Sequence, residues 1–144
     1  MTFSATSVPT AGPVRDKSDG AAVVAAEAFL WASQTGSVKQ DLSLITPMVD
    51  ASCPCIKALA DVLAVQKRNH HHLSSRPLPP ATAVITKRDG DLVQLALHFV
   101  SPSFQILDAH NKTVQSYADE TEVADMTVRF DGSMWKIAKF EVHR

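Results

Sequence analysis

The chain has 144 residues, of which 45% are hydrophobic and 20% charged, with 14 Lys plus Arg against 15 Asp plus Glu. That length fits one domain able to bury roughly two-thirds of the surface its unfolded chain exposes. The near-neutral balance excludes a strongly basic nucleic-acid stripe, and no apolar run approaches the ~20 residues of a membrane span.

Residues 1–18 are rich in Ser, Thr, Ala, Pro and Gly, with Phe3 as the one large aromatic, and contain no apolar signal core. Such a segment buries too little apolar surface to offset its ordering entropy, which predicts a flexible linker ahead of a single domain over residues 19–144. From Asp19 to Gln34, the residues Ala22, Ala26, Phe29, Leu30 and Ser33 recur at helical spacing, with Glu27 on another face. Ser18 or Asp19 supplies an N-cap and Gly36 a stop. Val38 to Ile45 reads as one or two further turns, ended by Pro47.

A second helix is predicted after Ser52, a suitable cap, with Pro54 in its first turn. Ile56, Leu59, Ala60 and Leu63 make its apolar stripe, and Lys67 and Arg68 give it a basic last turn. At its entrance stand Cys53 and Cys55, separated by Pro54. Two thiols so close are a reactive pair, half of a metal site, two free thiols or a small disulfide loop. A bridge needs a non-helical turn and, closing so short a loop, adds little stability.

His70 to Pro80 reads as a loop. Imidazole is a common metal ligand, but His70, His71 and His72 stand a helix away from the cysteines, about 20 Å at 1.5 Å per residue. No physiological metal site is expected, because closed tetrahedral coordination needs further ligands nearby. No cofactor is expected either.

Beyond the loop the apolar period changes to two. Thr82 to Lys87 is a strand, Arg88 to Asp91 a hairpin turn, and Leu92 to Val100 a second strand with Val93, Leu95, Leu97 and Phe99 on one face. Phe104 to Leu107 and Thr113 to Tyr117 are weaker strands around an Asp108 to Lys112 turn. That turn carries Asn111-Lys112-Thr113, a glycosylation-type sequence common by chance. Glu122 to Phe130 alternates with Ala124, Met126, Val128 and Phe130 on one side, and Met134 to Val142 returns after Asp131-Gly132. Between Ile137 and Ala138 the parity switches, which predicts a bulge or burial on both faces. Helices followed by antiparallel strands make an α+β fold, with N-terminal helices packed on one face of a curved sheet.

Gly20-Ala21 through Ala28-Phe29, then Thr35-Gly36, then Cys53-Pro54-Cys55 entering a helix, resemble the exported NTF2-like, lipoprotein-type domains of actinobacteria, largely of unknown function. The likeness spans roughly Gly20 to Val142. Here the cysteines are Cys-x-Cys rather than Cys-x-x-Cys, and there is no lipobox cysteine, so a lipid anchor would rest on an upstream segment. The resemblance implies a cone-shaped NTF2-like (cystatin-like) fold, a pocket between helices and sheet, and a place in the cell envelope where a Cys53–Cys55 disulfide persists.

Such folds also host ketosteroid isomerases and SnoaL-type cyclases, which need a carboxylate or His in an apolar pocket. The nearest candidates are His98, Tyr117 and Asp125. His98 shares its strand face with Gln94 and Ala96 rather than with Leu95 and Leu97, and Asp125 and Arg129 alternate with the apolar positions. The expected interior is therefore uncharged, and the expected function is non-enzymatic binding of a protein partner or an apolar small molecule. Phe29, Trp31, Phe99 and Trp135 are the candidate pocket residues. The outer sheet face, only moderately polar at Val123 and Thr127, suits a homodimer.

Overall fold

The computed structural model describes residues 2–4, 16–75, 77 and 80–143. Its helices are α1 (Asp19–Lys39) and α2 (Cys55–Arg68), joined through a 3-10 turn at Thr46–Met48. The strands are β1 (Thr2–Ser4), β2 (His72–Leu73), β3 (Thr82–Asp89), β4 (Leu92–Ser101), β5 (Phe104–Leu107), β6 (Thr113–Tyr117), β7 (Glu120–Phe130) and β8 (Trp135–His143). Five form an antiparallel sheet in the order β1-β3-β4-β7-β8, and β2-β5-β6 form a separate three-stranded sheet. The architecture is α+β, but with two sheets instead of one. Ser101-Pro102 ends β4, and the next strand pairs with the His72–Leu73 segment, so the predicted loop from His70 contains a short strand.

Alternation on the strands decides the inner face. The register sets Val93 against Val128, Leu95 against Met126 and Leu97 against Ala124. Trp135 and Ile137 extend this face on β8, and Ala83 extends it on β3, all buried. Against it lies α1, whose Ala22, Ala26 and Phe29 have no exposed surface. The alanines let the helix axis come close, and Phe29 meets the edge of Phe140 at 5.1 Å. The bulge expected in the last strand is present. Val128 pairs with Ile137 and Thr127 with Lys139, leaving Ala138 as the extra residue.

Ser18 caps α1 by accepting the Ala21 N–H at 3.1 Å. Gly36 does not end the helix, which continues to a left-handed Gln40. Its missing Cβ serves close approach, since a Cβ there would lie 2.6 Å from the Asp41 carbonyl oxygen as the chain folds back. Val38 and Lys39 therefore belong to α1, and the one short helical turn between α1 and α2 is the 3-10 one at Thr46–Met48. Ser52 does not cap α2 either. Pro54 holds that position, and the Ser52 hydroxyl bonds to Asp50 instead.

The linker expected over residues 1–18 is partly structured. Thr2–Ser4 pair antiparallel with Val84–Thr82, satisfying backbone groups along the β3 edge that would otherwise stay open. Just before α1, the Asp16 carbonyl accepts the Trp135 indole N–H at 2.6 Å and the Lys17 carbonyl accepts from Arg88 at 2.8 Å. Arg88 also pairs with Asp19 at 2.6 Å and lies over the Trp135 ring, so one guanidinium ties the helix entrance to the β3–β4 hairpin. The rest of the expected linker, residues 1 and 5–15, lies outside the described residues.

Candidate functional site

On the free edge of the main sheet, β8 is flanked along only part of its length. Val49 forms a parallel bridge with Ile137, and the Asp50 N–H donates to the Ile137 carbonyl at 2.8 Å. From there the chain turns away. The Asp50 carboxylate accepts the Ser52 N–H and hydroxyl, both at 3.0 Å, and these bonds, with Arg129 nearby, hold its pKa below the ordinary value. The Cys53 N–H closes the turn on the Asp50 carbonyl at 3.0 Å, and α2 begins at Cys55.

This turn carries a disulfide between Cys53 and Cys55, with Cα atoms 5.4 Å apart. Between the bridge and the part of β8 beyond Ile137 runs a groove of about 410 Å³, lined by Cys53, Pro54, Cys55, Ala58 and the segment Ala138 to Glu141. Its apolar wall is the disulfide, Pro54, Ala58 and Phe140, and Lys139 and Glu141 stand at its rim, paired at 3.6 Å. Sequence spacing made the cysteines visible. The groove depends on the Ala138 bulge and on the Val49 bridge, neither of which a linear pattern can bring together with them.

Phe140 also borders a second hollow of about 170 Å³ among Leu30, Ser33, Gln34, Ser37, Leu59, Phe99, Glu122 and Val142. The interior as a whole departs from the uncharged expectation. Glu122 is buried, as are Glu27 and Gln34. Burial pushes the Glu27 carboxyl up to about 7. The indole nitrogen of Trp31 and the amide oxygen of Gln34 are buried without a hydrogen-bond partner among the described residues. Glu122 was readable, because it shares the parity of Ala124 and Met126 at the start of β7. Glu27 could be found only by noticing that α1 has apolar residues on every side, so no face of it was reserved for water.

The residues singled out from sequence do not converge. His98 and Asp125 are exposed on the outer sheet face, where Asp125 pairs with His143 at 2.8 Å. Tyr117 belongs to the small sheet, its ring stacked on Phe104 at 4.8 Å. The four aromatic candidates are all buried, and they close into ring contacts within the core: Phe29 on Phe140, Trp31 on Phe99 and Trp135 on Phe130. Of the four, Phe99 borders the second hollow. Among the described residues no three His, Cys, Asp or Glu side chains are grouped to hold a metal ion, and no helix is long and apolar enough to cross a membrane.

No family model matches the sequence, and no curated protein matches it. Among solved structures, the chain is similar to the intermembrane-space region of the chloroplast protein ARC6, with TM-score 0.50 and 16% identity over 81% of this chain and 92% of that one. At that identity the likeness speaks for the fold alone.

Proposed function

We propose that the chain is a non-enzymatic, extracytoplasmic NTF2-like domain that binds a protein partner, received as an extended segment in the groove beside β8. The observation that carries this reading is the groove itself, an apolar trough running along the part of β8 beyond Ile137, where the described residues pair with the strand on its β7 side. Extended peptides add to such edges through backbone bonds, and flanking hollows take alternate side chains. A disulfide at its wall fits an oxidising compartment. The binding test is fluorescence anisotropy with a labelled, β-branched peptide of extended conformation. Ala58→Trp, which fills the trough, is expected to abolish binding, whereas the outer-face pair His98→Ala with Asp125→Ala is expected to bind normally. Binding that survives Ala58→Trp overturns the proposal.

A second reading, a ketosteroid-isomerase-like enzyme acting on a small hydrophobic substrate, is favoured by one observation, the buried carboxyl of Glu27 poised near neutral pH. It replaces His98, Tyr117 and Asp125 as the base. Solvent-deuterium exchange into an unsaturated ketone, lost in Glu27→Gln, is the result that would favour it; no exchange by the parent chain ends it.

A further inference from the structure

The Cys53–Cys55 bridge spans residues two apart and encloses Pro54 alone. The turn around it is already held by backbone and side-chain bonds from Asp50 to Ser52 and Cys53, and by the Ala58 N–H on the Pro54 carbonyl at 3.2 Å. Closing so small a loop removes little freedom from the unfolded chain, so the bridge contributes little to holding the turn. Its position favours chemistry. Cys55 opens the 14-residue helix α2, and its N–H donates to the Cys53 sulfur at 3.4 Å, which would stabilise a thiolate there. Both cysteines are buried, at 9% and 5% exposure, and border the groove, so a thiol would reach them from the groove floor, beside the strand edge that would carry an extended chain past them.

We propose that Cys53–Cys55 is a thiol–disulfide exchange centre that oxidises a pair of cysteine thiols on a polypeptide lying along β8. The inference rests on the groove reading and names the chemistry of its occupant. A partner thiolate attacks Cys55 Sγ. The new S–S bond forms as the old one breaks, and the electron pair leaves on Cys53 Sγ, which takes up a proton. The partner's second thiolate then attacks its own sulfur in the mixed disulfide and releases Cys55 as a thiolate, which is protonated. The partner dithiol loses two electrons and two protons to become a disulfide, and Cys53 and Cys55 gain them as thiols.

The experiment mixes the oxidised full chain with a reduced dithiol peptide of β-branched sequence, quenches with acid, alkylates and reads intact mass. Reduced glutathione is the second arm, and the oxidised pentapeptide matching residues 52–56 is the control that has the ring without the fold. Expected is peptide oxidation about tenfold faster than exchange with glutathione, and faster than with the pentapeptide, with the trapped adduct on Cys55 and the rate advantage lost in Ala58→Trp. A bridge that stays intact while a serine analogue of the peptide still binds overturns the exchange proposal and leaves the groove reading standing. Equal rates for folded chain and pentapeptide, unmoved by Ala58→Trp, also overturn the exchange proposal. Failure of both binding and exchange overturns both.

Discussion

The two helices are built on opposite terms. Helix α1 is wrapped by the molecule, with buried residues on all its sides, including Glu27 and Gln34. Helix α2 buries only Cys55 and Leu63 and leaves Val62 and Val65 largely in water. The first helix is enclosed by the core, and the second touches that core at the buried Cys53–Cys55 bridge, which also borders the groove beside β8. Substitutions in the two helices should therefore differ in what they change.

The largest contrast is in stability. Phe29→Ala removes a ring with no exposed surface and should cost about 3–5 kcal/mol in denaturant unfolding. Val62→Ala on α2, at 55% exposure, should stay within about 0.5 kcal/mol.

Next comes the carboxyl inside α1. Because Glu27 has a folded pKa raised from 4.5 to about 7, the folded state holds its proton more tightly than the unfolded one. Stability from this group is full below about pH 4.5, falls as pH rises through the window, and is gone above about 7, a change on the order of 3 kcal/mol. Glu27→Gln should flatten that slope and raise stability at pH 8. An unchanged slope would place the carboxyl in water.

Gly36→Ala is expected to cost about 1–2 kcal/mol despite alanine's better helix propensity, since its methyl meets the Asp41 carbonyl. Reduction comes next. Breaking Cys53–Cys55 should lower unfolding free energy by about 1.6 kcal/mol or less, with the circular-dichroism spectrum of the folded chain unchanged. A collapse on reduction would make the bridge a main support of the fold.

Much of this division was legible beforehand. Alternation from Leu92 to Phe99 and from Ala124 to Phe130 gave the inner face residue by residue, and the parity switch at Ala138 located the bulge. What escaped has physical causes. Gly36 looked like a stop because local chemistry cannot show the Asp41 carbonyl folding back over it. Ser52 looked like a cap because Asp50's stronger claim on its hydroxyl is a turn effect. β1 lies in a segment too polar to fold alone, and only the open edge of β3 gives it a partner. The groove depends on Val49 bridging Ile137 of β8, a contact between residues far apart in sequence.

The most direct test of the groove is amide chemical-shift mapping of the oxidised chain with the extended peptide. Expected are shifts concentrated at Cys53, Cys55, Ala58 and from Ala138 to Glu141, with the amides around Phe29 and His98 unmoved. Shifts centred on His98, Asp125 and His143, or on the second hollow at Gln34 and Glu122, would contradict it.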